Sequence, residues 1–519
     1  MTKQHSRRTL MGTPQRSRSR LSRISSAAAL LAAGALVLTA CGNRVSDDRI
    51  EAANAAVLQL SDEQLKAAGI DPAAAAAGTD GAAAPLIGDT AGLPAATGGA
   101  AATTGTAATG TAGTGTAATG TTPAGTGKAQ NTGAAAVTAS AACTTSLPPV
   151  VLGQTGVFSG FIGAVGAGAR PGLQVWAKDL NSRGGLACHP IQLIQLDDQS
   201  DPAKVTANVR DLVENKKVTA LIDAYVPIAV GPYAQAAAKY KMPTIGGDNI
   251  DLLWNQAPYL FPVGASPLGT YLGSIKSAAD SGDFKKFGML YCVEATICGV
   301  LKESATAKGG LADQAGVETV YIAPFSLTQP DFTSECQNMK NAGVEFAFVG
   351  GDGSAVSRVA RACNSLGFNP TLATVSLAAG SSVQADKLVA SNGLYLGSFL
   401  APFPANDVPG LKEYHAAFER YAPSVTLDGA SMIAWASGKL LEAAVNTLGA
   451  EARSGPLTTE LIMKGLGKVK NETLKGLSPP MTFKPGQAFA PALNCYTVIA
   501  LTTREEKFYA PEGTKFHCQ

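Results

Sequence analysis

The chain has 519 residues, 41 Lys or Arg against 39 Asp or Glu, and a formal net charge of +2. Seven of those positive charges and no acid lie in residues 1–40, so a chain without that segment carries about −5. No basic cluster appears in the remainder, which excludes nucleic-acid binding, where concentrated Lys and Arg must displace counterions.

The basic start is followed by an apolar segment, Ala27 to Leu38, that is too short to span a bilayer and reads as a signal peptide over 1–40. Its end, Leu38-Thr39-Ala40-Cys41-Gly42, resembles a bacterial lipobox. That resemblance implies that Cys41 becomes the lipidated first residue of the mature protein, anchored to the cell membrane and working outside it. A plain secretory signal or an uncleaved anchor is the competing reading. Ser6-Arg7-Arg8-Thr9-Leu10 hints at twin-arginine export, although it lies far from the apolar segment.

Lipidation of Cys41 would leave eight of the nine cysteines, an even number in an oxidising compartment. Eight cysteines allow 105 pairings, so sequence does not fix connectivity. Nearest-neighbour pairing gives Cys143–Cys188, Cys292–Cys298, Cys336–Cys363 and Cys495–Cys518. Buried free thiols or a metal site are the alternatives. No C-x-x-C occurs, and His189, His415 and His517 are not at ligand spacing, so no metal and no other cofactor is expected.

Residues 41–71 form a short helical segment in this reading, with Ile50, Val57, Leu58 and Leu65 as apolar positions and Ser61-x-x-Gln64 as a capping box. Over 72–142 the composition collapses to Ala, Gly and Thr, in repeats such as Thr116-Ala117-Ala118-Thr119-Gly120. Such a segment has nothing with which to build a core and is expected to be a disordered tether. Roughly 70 residues of random coil would span about 45 Å.

From Cys143 onward strands alternate with helices, over a length that suffices for two cores. Pro149 to Leu152 is a strand, followed by a Gly-rich turn and a helix through Leu173 to Trp176. Ile191 to Leu196 alternates with period two, and Asp201-Pro202 starts a helix with Asp as cap and Pro in its first turn. Val218 to Ile222 reads as strand, Ala234 to Tyr240 as helix, and Phe287 to Tyr291 and Phe346 to Val349 as further strands. The repetition predicts an α/β fold of doubly wound parallel sheets. Ligands in such folds sit beyond the carboxyl ends of the strands.

Gly156 to Gly160, Asn181 to Leu186 and Asp197 to Lys204, then Met242 to Ile245, Phe325 to Phe332 and Asn392 to Leu396, resemble the type I periplasmic-binding fold. The branch is that of the branched-chain amino-acid (Leu/Ile/Val) binding proteins of ABC transporters. The resemblance covers about 148–490. It implies two lobes joined by three hinge crossings within 143–519, the first about 148–267 and 398–475, the second about 268–397 and 476–519. It also implies closure on a small solute, delivery to an ABC permease, and no covalent chemistry.

Relatives that bind amino acids use hydroxyl-rich turns and an acid in the second lobe. The matching stretches here are Tyr225 to Ile228, Gly247 to Ile250 and Ala373 to Ser376, where apolar residues and Pro replace hydroxyls and Ser376 stands where the acid is expected. A buried ammonium without its partner is costly, so an ordinary α-amino acid fits poorly and a larger, more apolar solute is expected. The expected ligand-binding residues are Phe158, Ser159, Tyr225, Val226, Asp248, Asn249, Glu294, Asp352 and Ser376, with Phe161 and Ile228 nearby. Each has a bland reading: Phe161 and Ile228 as helix packing, Asp248 as a helix cap. Cys292 and Cys298 flank Glu294, so a bridge there would stiffen a loop at the cleft edge.

An enzyme is not expected. Gly163 to Gly168 does not match G-x-G-x-x-G, and neither G-K-[ST] nor G-x-S-x-G appears. The leading function is an import receptor for a small solute. The alternatives are a sensory receptor or surface ligand-binding lipoprotein with a sensory partner, and an envelope protein with a dead cleft.

Overall fold

The computed structural model describes residues 143, 146–484, 490 and 492–519. The expected signal peptide, Cys41, the helical segment and the tether lie outside the described residues.

Two sheets organise the chain. The first contains β1 (Val150–Gly156), β2 (Ile191–Asp197), β3 (Ala220–Ala224), β4 (Thr244–Gly247) and β5 (Leu260–Phe261), in the order β2-β1-β3-β4-β5 with every pair parallel. The two-residue period of a strand divides its neighbours between two cores. Ala220 and Ile222 of β3 join Leu173 and Trp176 of the helix Ala169–Ser182, while Leu221 joins Val205 and Val209 of the helix Pro202–Arg210. Helices on both faces are what a parallel sheet requires.

The second sheet contains β6 (Lys286–Cys292), β7 (Glu318–Phe325), β8 (Phe346–Gly350), β9 (Thr371–Val375), β10 (Leu394–Ser398), β11 (Cys495–Leu501) and β12 (His517–Cys518). Its order is β12-β11-β10-β9-β8-β6-β7, parallel except where β11 pairs antiparallel with β10 and β12.

Local chemistry sets the helix starts. Asp201 caps its helix by accepting from the Ala203 N–H at 2.9 Å, with Pro202 in the first turn. Ser266 and Pro267 repeat the device at the helix Pro267–Asp280. The third predicted helix begins earlier than its apolar run suggests, at Val230, because Val230, Gly231 and Tyr233 are also buried. Between β10 and β11 the chain returns to the first sheet, where the helix Gly429–Asn446 packs against Ala169–Ser182. Gly438 permits that approach, since a Cβ there would lie 2.2 Å from Trp176 Cδ2. Four disulfides are formed: Cys143–Cys188, Cys292–Cys298, Cys336–Cys363 and Cys495–Cys518.

The chain passes between the sheets after β5, after β10 and before β11, and the three passages are tied to one another. The Ala265 N–H donates to the Phe399 carbonyl at 2.8 Å, the Ser266 N–H to the Leu493 carbonyl at 2.8 Å, and the Ala401 N–H to the Leu477 carbonyl at 2.8 Å. Gly264 sits in this bundle at φ +94°, and a Cβ there would lie 2.2 Å from the Phe399 carbonyl oxygen. Gly264→Ala is therefore expected to cost about 2 kcal/mol or more from strain and clash. Gly309→Ala, at φ +74° with nothing within 4 Å of the added carbon, is expected to cost less. Thermal unfolding of both variants checks this, and equal losses would refute the close-packed crossing.

Candidate ligand cleft

The loops after β1, β3 and β4 face those after β6, β8 and β9, and a cavity of about 90 Å³ lies between them. The first lobe supplies Ile162, Val165, Pro227, Ile228 and Ile250. The second supplies Ile297 and Leu301, one turn apart on the helix Thr296–Thr306, together with Tyr271, Leu327 and Phe348. The walls present carbon because their polar groups are already bonded. The Tyr271 hydroxyl donates to the Ile250 carbonyl at 3.0 Å, joining the lobes, and Thr374 Oγ1 donates to the Val349 carbonyl at 2.9 Å. Asp352 caps the helix Gly353–Ser365, accepting from the Ser354 N–H and hydroxyl and the Ala355 N–H.

A second space of about 360 Å³ adjoins the first, sharing Pro227, Ile228, Cys292, Ala295 and Cys298. Its further walls include Asp251, Val230 and Gly231 on one side and Tyr291, Glu294 and Thr296 on the other. The Cys292–Cys298 bridge thus stands between an apolar inner cavity and a more polar vestibule. Glu294 also fixes the cavity wall: its Oε1 accepts from Ser326 Oγ at 2.6 Å and from the Leu327 N–H at 2.8 Å. Arg358 holds the same loop from the other side, donating to the Leu327 carbonyl at 2.8 Å. Burial pushes the Asp251 carboxyl up to about 6, with the Leu253 N–H working against that shift.

Of the nine expected ligand-binding residues, Asp352 lines the cavity and Glu294 the vestibule. The other seven are placed elsewhere, for identifiable reasons. Ser159 is exposed and donates to Asp197 at 2.5 Å; Phe158 donates its N–H to the same carboxylate and packs its ring 5.7 Å from the Arg170 guanidinium. Burial pushes Asp197 up, but the Ser159 hydroxyl and the Gln199, Phe158 and Ser159 N–H groups more than offset it, leaving its pKa below the usual range. Tyr225 is fully buried in the first lobe, and its hydroxyl has no hydrogen-bond partner among the described residues. Val226 belongs to the core on the other face of the sheet.

Asp248 is a buried brace, not a helix cap. It accepts from the Val226 N–H at 2.7 Å and Trp254 Nε1 at 2.9 Å, and burial raises its pKa to about 7. Asn249 donates to the Ala265 carbonyl at 2.7 Å and so serves the hinge. Ser376 is buried against the start of the helix Gly429–Asn446, where a Cβ on Gly429 would lie 2.2 Å from the Ser376 carbonyl oxygen. Phe161 is exposed, whereas Ile228 lines both spaces. Sequence reasoning missed Ile162, Val165, Ile250, Tyr271, Leu327 and Phe348, whose apolar character is the same whether they face a core or a cavity. Among the described residues no group of three or more His, Cys, Asp or Glu could hold a metal ion, and no helix is long and apolar enough to cross a membrane.

A family model described as periplasmic binding protein matches residues 149–502. Solved structures with the same fold include a possible leucine/isoleucine/valine-binding protein from Rhodopirellula baltica, with TM-score 0.59 and 17% identity over 70% of this chain and 96% of that one. A fatty acid ABC transporter substrate-binding protein from Thermomonospora curvata has TM-score 0.58 and 18% identity over 71% and 94%. A solute-binding protein of an ABC transporter from R. palustris, in complex with benzoate, has TM-score 0.56 and 15% identity over 70% and 96%. By sequence, an amino acid binding protein of Pseudomonas aeruginosa is 23% identical over 318 residues, 59% of this chain and 81% of the relative.

Proposed function

The chain belongs to the periplasmic binding protein family, and we propose that it is the solute-binding component of an ABC importer, held outside the cytoplasmic membrane by a lipid on Cys41. It captures a small apolar solute by hinge closure and presents it to a membrane permease, with no covalent chemistry. The observation that carries this reading is the inner cavity, whose apolar walls come from both lobes. A ligand touching both lobes favours the closed state by the contacts it makes only there. The fatty-acid and benzoate binders of the same fold are consistent with apolar cargo.

The size of the cavity narrows the expectation of a larger solute. Its roughly 90 Å³ is below the roughly 150 Å³ of an apolar cavity that accepts benzene in another protein. A slender chain fits the inner space, and anything broader must extend into the vestibule.

A thermal-shift screen of the protein with disulfides intact tests the proposal. A solute present at about 100 times its Kd should add about 2.7 kcal/mol of stability. Ile228→Trp fills the neck between the two spaces at a half-buried position. It should lower affinity about tenfold or more while moving the ligand-free melting temperature by only about 2 °C. An apolar solute that stabilises the Ile228→Trp variant as well as the parent would place binding elsewhere.

A further inference from the structure

The charged residues on the walls of the cavity and vestibule are all acids: Asp352 inside, Asp251 and Glu294 outside. Among the described lining residues there is no Lys, Arg or His. Arg358 approaches the inner acid only through the Ser354 hydroxyl, at 3.2 Å, and its other bond goes to the Leu327 carbonyl. The helix starts at Val230 and Thr296 also border the vestibule, each without a side-chain cap. A helix start carries about half a positive charge, against a full negative charge on each ionised acid of the same rim. The third helix start, at Gly353, is already occupied by Asp352. A carboxylate entering this site would lose its water and find no cation, whereas an ammonium would meet Asp251 and Glu294 at the vestibule end.

We infer that the cleft takes an apolar solute ending in an amine, its carbon body in the inner cavity and its ammonium in the vestibule, and that it discriminates against the matching carboxylate. This rests on the reading that the cleft binds an apolar solute, and it separates this chain from the fatty-acid and benzoate binders of the same fold. It also relocates the acid that amino-acid-binding relatives place in the second lobe. Ser376 is not that acid here; Glu294 and Asp251 stand on opposite walls of the vestibule and provide the charge instead.

Three probes with one carbon skeleton test the inference: hexylamine, hexan-1-ol and hexanoate, titrated calorimetrically into the full chain near neutral pH at low and at moderate salt. Hexylamine should bind about tenfold or more tightly than hexanoate, with hexan-1-ol between them, and added salt should weaken only the amine. Glu294→Gln, and independently Asp251→Asn, should lower hexylamine affinity about threefold to tenfold more than hexan-1-ol affinity, the comparison with the alcohol separating loss of charge from any change in the wall that Glu294 holds. Hexanoate binding as tightly as hexylamine would overturn the inference while leaving the apolar cleft intact. So would hexan-1-ol matching the amine in both parent and variants. Failure of all three probes to bind would overturn the apolar-solute reading and this inference with it.

Discussion

Replacing Asp223 by Asn is expected to raise the melting temperature at pH 8 and to flatten its dependence on pH. Asp223, the next-to-last residue of β3, is fully buried at φ +48°, a left-handed conformation that Asn tolerates as well as Asp. Its Oδ2 accepts from Gln154 Nε2 at 2.6 Å and its Oδ1 lies 3.5 Å from Ser437 Oγ. An Asn oxygen can accept from Gln154. The Asn amide can donate to Ser437 Oγ, whose own proton goes to the Ile433 carbonyl at 2.8 Å. The exchange therefore keeps the bonds and removes a buried ionisable group.

Burial, and then the neighbouring Asp248, hold the Asp223 carboxyl well above its ordinary value. It is one of five such carboxyls among the described residues. Burial first, with like charges adding in some cases, raises Asp198 and Asp248 to about 7 and Asp251 and Asp428 to about 6. A carboxyl whose folded pKa exceeds its unfolded value contributes stability that is fully present below the unfolded pKa. That stability is lost as pH rises through the folded pKa. The unaltered protein should thus be more stable near pH 5 than near pH 8. Surface acids with lowered values, such as Glu345 and Glu451, act in the opposite sense but only in more acidic solution. The Asp223→Asn gain should be on the order of 2 kcal/mol at pH 8 and shrink toward pH 5. Thermal melts across that range decide it: a variant less stable than the parent at pH 8, or a gain independent of pH, would show that Asp223 is compensated.

The fold was legible because its signals are local. Alternation over Ile191 to Leu196, the Asp201-Pro202 start and the glycines at turns each fix a strand, a cap or a bend within a few residues, and β2 and the following helix lie where those signals put them. The site was less legible because lining a cavity is not a local property. Tyr225 and Ile228 follow the same strand three residues apart, yet one is buried in the first lobe with its hydroxyl unpaired and the other lines the cleft. Asp248 and Asp251 are likewise three apart. The first is consumed by the Val226 N–H and the Trp254 ring, while the second reaches the vestibule. Position after a strand narrows the search, but only the packing of the opposite lobe decides which side chain is left facing the space. Tyr271, Ile297 and Leu301 reach the cavity from helices and carry no such positional mark.

The two disulfides that differ most in loop length should separate stability from binding. Cys292 and Cys298 are six residues apart, Cys143 and Cys188 forty-five. By chain entropy alone the short loop is worth about 2 kcal/mol and the long one about 4 kcal/mol. Their positions run the other way. Cys292 and Cys298 both line the inner cavity and the vestibule, and the loop between them carries Glu294, whose carboxylate holds Leu327 in the cavity wall. Cys143 and Cys188 line neither space; the Leu147 N–H donating to the Cys188 carbonyl holds the chain leading into β1 there. Changing Cys292 and Cys298 together to Ser should lower the melting temperature by only a few degrees but weaken binding of the tightest hexyl probe about tenfold, because the wall between the two spaces loses its fixed shape. Changing Cys143 and Cys188 together should cost more in melting temperature and leave that affinity within about twofold. Both affinities unchanged would reduce the short bridge to a stabilising link, whereas both weakened in proportion to the loss of stability would mean that binding reports the integrity of the whole domain and not the loop.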